Sequence, residues 1–155
     1  MKIAVGSDHA AYALKDHLTQ HLQKRGVEVV DYGGFAPERI DYPVAGERVA
    51  NAVAGGECDY GVIMCGTGVG ISIAANKVPG IRAVVCSEPY SAIMSREHNN
   101  ANILALGERV VGFGLAVTIL DSWLDAGFEG GRHARRVDII SEIERKHFKR
   151  ETEYE

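Results

Sequence analysis

The stretch IMCGTGVGISIAANKVPG, residues 63–80, joins an apolar, β-prone run to a segment of helical spacing through a loop of alternating glycines. Apolar runs of the same kind recur along the chain, as KIAVG, VEVVDYG, YGVIMCG, RAVVCSE and NILALG, with helical stretches between them. Runs that are apolar throughout suit strands buried on both faces, and helical crossovers make such strands parallel. The sequence therefore predicts an α/β fold, a three-layer, Rossmann-like or flavodoxin-like doubly wound sheet of five parallel strands.

The order of the strands determines which loops meet. For five strands we expect the flavodoxin-like order 2-1-3-4-5, in which the first and third strands are neighbours at the switch point where ligands bind. The loop GSDHA, residues 6–10, follows the first strand, and the loop CGTGVG, residues 65–70, follows the third. Both loops would therefore line one crevice at the carboxyl edge of the sheet.

Glycine and proline mark several helix boundaries. Gly26 and Gly55 stand where helices should stop, and Ser87 followed by Pro89 marks a start. An extra C-terminal helix is predicted over residues 133–149. We expect one domain over residues 1–149 and a frayed tail over residues 150–155.

Charge and composition argue against several classes of protein. A formal net charge of −4 over 155 residues lacks the basic surface of a nucleic-acid or membrane binder. No apolar run approaches the roughly 20 residues that cross a bilayer, and the first residues do not form a signal peptide. Cys58, Cys65 and Cys86 cannot all pair and lack C-x-x-C spacing. We therefore expect a cytoplasmic protein with reduced thiols.

The glycines at 66, 68 and 70 favour an anion-binding loop, because they let backbone N–H groups approach a negative charge. The following ISIAANK would offer a helix N-terminus to the same charge. The spacing is neither G-x-G-x-x-G nor a Walker loop. Ile71 stands where a cysteine phosphatase would carry arginine, so covalent phosphocysteine chemistry is not expected.

Cys65 has two interpretations. A lone free cysteine is often a small buried hydrophobe, and the glycines would then only make a tight turn. Its position at the carboxyl end of a strand, beside backbone donors and a helix N-terminus, instead favours a reactive thiolate. A base next to an oxyanion site is typical of proton abstraction beside a carbonyl group.

Other polar residues also have a structural and a functional interpretation. Asp8 and His9 follow the first strand, where a doubly wound fold places ligand contacts, although Asp8 serves equally well as a helix cap. His98, Asn99 and Asn100 end a helix, and a capped helix end would account for all three.

Basic residues near the C-terminus suggest a second anion contact. Arg132 and Arg136 in GGRHARR are spaced i, i+4 and would share one helix face. They form either a solvated basic turn or an anion site, since cations at a helix start oppose the helix dipole unless an anion lies in reach. Arg109, after the fifth strand, is expected to join them from the same edge, whereas Tyr42 before Pro43 is as easily a packed aromatic. No cluster has zinc-like spacing, so we predict no metal.

The segments GSDHAA, DYP, CGTGVGISIAANKVPGIRAVVCSEPYSA, HNNAN and GGRHARRV closely resemble the type B ribose-5-phosphate isomerase family, which also contains galactose-6-phosphate isomerase subunits. The resemblance spans residues 2–146. It implies a Rossmann-like sugar-phosphate isomerase domain that interconverts ribose 5-phosphate and ribulose 5-phosphate without metal or other cofactor. It also implies homodimers or homotetramers with active sites at subunit interfaces.

The resemblance further implies a role for each site residue. Cys65 would move the proton between C2 and C1 through a cis-enediolate, while His98 with Thr67 would open the sugar ring. Some relatives carry glutamate at the position of Ile71 and lack the cysteine, so this chain resembles the cysteine branch. The residues implied to bind substrate are Asp8, Tyr42 and Asn99 at the hydroxyl groups, His9, Arg109, Arg132 and Arg136 at the phosphate, and Gly66, Gly68, Val69 and Gly70 at the enediolate.

The expected topology separates these residues within one chain. His98 and Asn99 would end a helix that returns to the amino edge of the sheet, whereas Cys65 lies at the carboxyl edge. We therefore expect a partner subunit to supply His98 and Asn99.

Two kinds of alternative function remain. The same enediolate chemistry serves allose 6-phosphate, galactose 6-phosphate or a tetrose phosphate, and steric discrimination between such sugars is worth only roughly 1–3 kcal/mol. The second alternative is a catalytically silent sugar-phosphate sensor, since a fold alone does not give function.

Overall fold

Five parallel strands form one sheet in the computed structural model, which describes residues 1–148. Helices cover both faces, so the predicted α/β, doubly wound architecture is confirmed. The predicted frayed tail, residues 150–155, lies outside the described residues. The strands are β1 (Lys2–Ser7), β2 (Glu28–Asp31), β3 (Tyr60–Cys65), β4 (Ala83–Val85) and β5 (Ile103–Gly107), and the helices are α1 (Tyr12–Lys24), α2 (Tyr42–Ala54), α3 (Val69–Ala75), α4 (Pro89–Glu97), α5 (Phe113–Asp125) and α6 (Arg132–His147).

The strand order is β2-β1-β3-β5-β4, so the predicted order 2-1-3-4-5 is wrong in its last two positions. All five residues of β5 are buried, and this strand pairs with both β3 and β4. β4 has only three residues and ends at the exposed Val85, as suits an edge strand. The predicted adjacency of the first and third strands is confirmed.

The sheet is buried on both faces, as its uninterrupted apolar runs predict. Met64 of β3 belongs to one core cluster, together with Trp123 of α5. Its neighbours Ile63 and Cys65 point to the opposite face and belong to a second cluster with Val49 of α2. The alternation along β3 therefore directs the Cys65 side chain to the face covered by α2 and α3. Among residues 1–148, no helix combines the length and the apolar character needed to cross a bilayer.

The helix ends agree with most of the sequence signals. Asp8 Oδ1 accepts a hydrogen bond from the Ala10 N–H at 2.9 Å and caps a single 3₁₀ turn, His9–Ala11, before α1. Gly55 follows α2 as its C-cap. At α4 the capping side chain is Glu88 rather than Ser87, and its carboxylate accepts from the Ser91 N–H.

The predicted extra helix, α6, connects two loops at the amino edge of the sheet. Just before α6 begins, the Glu129 N–H donates to the Glu97 carbonyl at the end of α4. Near its other end, the Glu144 carboxylate accepts from the Gly80 N–H in the loop before β4. α6 therefore lies along the amino edge, opposite the edge at which the glycine loop stands.

A substitution at Gly107 tests the close packing of the end of β5 against the glycine loop. A methyl group at this position would lie 2.5 Å from the Thr67 backbone, so Gly107→Ala must displace one of the two chains. We expect it to lower the free energy of unfolding by about 1–3 kcal/mol in urea titrations followed by circular dichroism. The matched control is Gly114→Ala in α5, where the methyl group meets no atom within 4 Å. The control should be neutral or stabilise by up to about 1 kcal/mol. Equal effects of the two substitutions would contradict this packing.

Candidate functional site

The loops after the three central strands meet at the carboxyl edge of the sheet. Ser7 of β1 stands opposite Met64 of β3, and the Asp8 N–H donates to the Met64 carbonyl at 3.2 Å. Cys65 of β3 stands opposite Gly107 of β5. The carboxyl-edge cluster, defined as Asp8, His9, Tyr42, residues 65–70 and Arg109, therefore follows from the sheet topology.

The thiol of Cys65 faces the backbone of the glycine loop. Its side chain is 4% exposed, and the Gly68 N–H points to Sγ at 3.1 Å. Gly68 has φ +79 and lies against the Leu106 backbone, so this turn requires glycine. Thr67 Oγ1 accepts from the Val69 N–H at 3.2 Å, where α3 begins. The loop thus places the Gly68 N–H and the positive end of α3 beside the sulfur.

Two larger side chains contact the loop, and the approach of one of them, Tyr42, requires glycine at position 70. A methyl group at Gly70 would lie 2.7 Å from the Tyr42 ring, and one at Gly66 would lie 3.6 Å from Arg109 Nη1. The Arg109 N–H also donates to the Gly66 carbonyl at 3.0 Å. A phenol and a guanidinium therefore stand at the loop that carries Cys65.

Asp8 and His9 stand on the other side of the same crevice. The cap made by Asp8 Oδ1 shows that the structural interpretation of this residue holds, and the side chain is nonetheless 8% exposed at the edge of the sheet. His9 is exposed, and its Nδ1 lies 3.2 Å from the Ile40 carbonyl oxygen. Because a carbonyl only accepts, Nδ1 carries the proton and Nε2 is left for a ligand.

A buried lysine orders the loop that reaches His9. Lys15 is 1% exposed, and its Nζ lies 2.9 Å from Asp31 Oδ2 and donates to the Gly34 carbonyl at 2.6 Å. The same loop ends near Ile40, which accepts from His9. The ammonium group therefore fixes the start of the loop, and the imidazole contacts its end.

The amino-edge cluster consists of His98, Asn99, Glu129, Arg132, His133 and Arg136. His98 is the C-cap of α4, and its ring stacks on that of His133 with centroids 4.1 Å apart. Arg132 and Arg136 share the first turns of α6 with His133, which is 4% exposed. Loss of hydration lowers the pKa of His133, and the nearby His98 and Arg132 lower it further. An excess of positive charge therefore makes this cluster attractive to an anion.

The structure does not bring the two clusters together within one chain. β5 has five residues, so its two ends are about 13 Å apart. Cys65 is level with the carboxyl end at Gly107, whereas His98 precedes the amino end. Arg109 was expected on the same edge as Arg132, and this is wrong, because α5 carries the chain back to the amino edge before α6 begins.

The imidazoles and the carboxylate of the amino-edge cluster also form a group of possible metal ligands. Donor atoms of His98, Glu129 and His133 lie within 4.8 Å of one another. The two rings are nearly parallel, at 7°, so their in-plane lone pairs do not converge on one point. Two adjacent arginines add positive charge. The arrangement fits an anion better than a cation.

Three residues near the site were not predicted from the sequence. His133 and Glu129 belong to the amino-edge cluster, and Lys15 orders the loop that contacts His9. His133 stands between the two predicted arginines, and its i, i+3 relation to Arg136 was the available signal. No comparable signal marks Lys15, because a lysine in an amphipathic helix usually faces water.

Comparisons with known proteins show the family to which the chain belongs. A family model described as Ribose/Galactose Isomerase matches residues 3–140. Ribose-5-phosphate isomerase B of Escherichia coli (strain K12) is 60% identical over 145 residues, which cover 94% of this chain and 97% of that protein. The structure of Clostridium thermocellum ribose-5-phosphate isomerase B has a TM-score of 0.93 and 62% identity, covering 95% of this chain and 99% of that one. The structure of Mycoplasma genitalium ribose-5-phosphate isomerase B with bound ribulose-5-phosphate has a TM-score of 0.87 and 40% identity. The match covers 94% of this chain and 97% of that one.

The electrostatics of the amino-edge cluster can be tested by NMR. In the free protein, we expect His133 to titrate with a pKa below the ordinary histidine value, because hydration is lost and cations surround it. Inorganic phosphate bound beside Arg132 and Arg136 should raise that pKa, since a nearby negative charge favours imidazolium.

The measurement is the pH dependence of the histidine ring ¹H–¹³C signals with and without phosphate. His147 at the far end of α6 is the internal control, and its ring signals should not change when phosphate is added. The double variant Arg132→Gln/Arg136→Gln should remove the phosphate response of His133. An equal phosphate response of His133 and His147 would argue against an anion site here.

Proposed function

Because the chain belongs to the ribose/galactose isomerase family, we propose that it interconverts ribose 5-phosphate and ribulose 5-phosphate at the carboxyl-edge cluster. The observation that carries this proposal is the position of Cys65, which ends β3 and faces the Gly68 N–H in a loop contacted by Tyr42 and Arg109. The name of the E. coli relative and the ribulose-5-phosphate bound in the M. genitalium structure support the choice of substrate.

In the proposed reaction, Cys65 is the base. Its thiolate takes the proton from C2 of the open-chain aldose, and the electron pair moves onto the C1 oxygen to give a cis-enediolate. The proton of the C2 hydroxyl passes to the C1 oxygen, so that the negative charge moves to the C2 oxygen. The C2 carbonyl then forms as the thiol returns its proton to C1. The N–H groups between Gly66 and Gly70 stabilise the enediolate oxygen, and each such donor is typically worth about 3 to 4 kcal/mol of barrier.

The open-chain sugar must first be released from its furanose ring. We assign this step to His98, acting with Thr67 by transferring protons between the ring oxygen and the C1 hydroxyl. General acid and base groups in such a role typically contribute about 10²–10⁴-fold in rate. Asp8, Tyr42 and Asn99 would hold the sugar hydroxyls.

The proposed steps need both clusters at one substrate, and a second copy of the chain can bring them together. In this arrangement His98 and Asn99 of one subunit reach the crevice that contains Cys65 of the other. The phosphate would then be held by His9 and Arg109 from one chain and by Arg132 and Arg136 from its partner.

Exposed apolar side chains support such a contact. Val69 and Ile73 of α3, next to the Cys65 loop, are 48% and 56% exposed. Ile139 and Ile143 of α6 are 43% and 52% exposed and share one helix face. Apolar side chains grouped in this way mark interaction surfaces. We infer a homodimer, or a homotetramer built from such dimers, in which α6 of one subunit approaches α3 of another.

The free thiols also bear on where the protein works. Cys58, Cys65 and Cys86 are all unpaired and buried. Thiols persist in this state in a reducing compartment. We therefore propose a cytoplasmic location.

Turnover of ribose 5-phosphate without added metal tests the proposed chemistry. We expect Cys65→Ala to lose about 10²–10⁴-fold in kcat, because the proton acceptor is removed. The matched control is Cys86→Ala, since burial raises the pKa of that thiol to about 11 and keeps it protonated. The control should keep wild-type kcat per folded protein.

Allose 6-phosphate assayed in parallel distinguishes the alternative substrates. A higher kcat/KM for the six-carbon sugar would contradict the choice of ribose 5-phosphate as substrate. The proposed enediolate mechanism would then apply to the six-carbon sugar instead. Binding of sugar phosphate that survives Cys65→Ala, with no turnover in the wild type, would instead identify a silent sensor.

A further inference from the structure

Arg96 is a buried cation that the proposed chemistry does not use. It lies in the last turn of α4 and is 5% exposed. Its Nη2 donates to the Tyr60 hydroxyl at 2.8 Å, and its Nη1 donates to the Ala101 carbonyl. The guanidinium lies over the rings of Tyr60 and Trp123, at 4.3 and 5.0 Å from their centroids. In the part of the chain that the structure describes, no carboxylate forms an ion pair with it.

A buried charge of this kind is costly and needs compensation. The two aromatic faces and the two oxygen acceptors supply part of it, while Nε lacks a hydrogen-bond partner. An apolar side chain of similar length would fill the same space without that cost. Such a side chain would make neither the hydrogen bond to the Tyr60 hydroxyl nor the one to the Ala101 carbonyl.

That carbonyl belongs to the turn that carries His98 and Asn99. The turn, residues 98–101, joins α4 to β5 and contains Asn100 with φ +47, an uncommon value for a residue other than glycine. The Ala101 N–H donates to the Ser95 carbonyl at 2.9 Å, and Arg82 Nε donates to the Asn100 carbonyl at 3.0 Å. The turn is thus held from both sides.

The aromatic residues that hold Arg96 are themselves fixed in the core. Trp123 is fully buried in α5, and Tyr60 begins β3, the strand that ends at Cys65. The rings meet edge to face with centroids 5.5 Å apart. Arg96 therefore ties the position of the turn to the rigid centre of the sheet.

We propose that Arg96 is a positioning residue: held between Tyr60 and Trp123, it fixes the 98–101 turn through the Ala101 carbonyl and so sets where His98 meets the sugar ring. This inference rests on the proposed role of His98 in opening the ring. A misplacement of about 1 Å at a reacting group can cost on the order of 10²-fold in rate. Loss of Arg96 should therefore impair ring opening far more than it impairs proton transfer at Cys65.

Two assays separate these steps. Turnover of ribose 5-phosphate needs ring opening, whereas exchange of the C1 hydrogens of ribulose 5-phosphate with deuterated solvent starts from an open-chain ketose and does not need the ring-opening step assigned to His98. For Arg96→Met we expect the ratio of turnover to exchange to fall at least about 10-fold. Arg96→Lys should recover part of the ratio, because an ammonium group can still donate to Ala101 but cannot make the planar contact with both rings.

Three further variants keep the test decisive. Tyr60→Phe removes one hydrogen bond from Arg96 and should lower the ratio of turnover to exchange a few-fold. If Arg96→Met does not fold, Tyr60→Phe replaces it as the test of the proposal. Leu120→Ala creates a defect in the same core cluster and should lower thermal stability without changing the ratio. His98→Ala should lower the ratio as Arg96→Met does, and a normal ratio in His98→Ala would refute the proposed role of His98 itself.

The ring signal of His98 gives a readout independent of activity. Stacking on His133 should shift its ¹H resonance, and Arg96→Met should reduce that shift whereas Leu120→Ala should not. If Arg96→Met, or Tyr60→Phe in its place, keeps the wild-type ratio and the His98 signal, Arg96 does not position His98. An equal fall of the ratio in Leu120→Ala would show that only general stability is involved.

Discussion

All five strands run in the same direction, and this polarity decides which side chains can work together. Residues that end strands gather at the carboxyl edge, and residues that end the crossover helices gather at the amino edge. β3 and β5 lie side by side, so Cys65 reaches one edge while His98, which precedes β5, stays at the other. The length of a short strand therefore separates the proposed base from the proposed ring-opening group.

Each edge has its own chemistry. At the carboxyl edge, Gly70 lets Tyr42 come close to the loop, Arg109 contacts it at Gly66, and the Gly68 N–H faces the sulfur of Cys65. At the amino edge, stacked imidazoles lie beside arginines, and loss of hydration together with the nearby cations lowers the pKa of His133. In the proposed reaction, the carboxyl edge moves the proton beside the carbonyl, while the amino edge opens the sugar ring and helps to hold the phosphate, so the reaction needs both edges. In the proposed dimer, the exposed apolar side chains of α3 and α6 would be buried between the two copies.

Hydrophobic periodicity predicted the α/β class, the adjacency of β1 and β3 and the convergence of their loops, because these follow from local pattern and strand polarity. The exchange of β4 and β5 was missed, since either order satisfies a right-handed crossover and only the full burial of β5 distinguishes them. Asp8 was left as either a cap or a ligand, and its hydrogen bond to Ala10 establishes the cap. The contacts of Arg96 with Tyr60 and of His133 with His98 join residues of different elements, so sequence spacing does not predict them. Lys15 is a buried charge, and a lysine in a helix is expected at the surface.

In the proposed enzyme, one active site combines residues from two subunits. The most direct test of this arrangement is a mixture of two inactive variants, Cys65→Ala and His98→Ala, co-expressed with different affinity tags and purified through both. In a mixed dimer, one site would contain both defects and the other would contain intact Cys65 and His98. We expect this species to regain about half of the wild-type kcat per dimer. A mixed dimer as inactive as either parent would show that Cys65 and His98 do not act across a subunit interface.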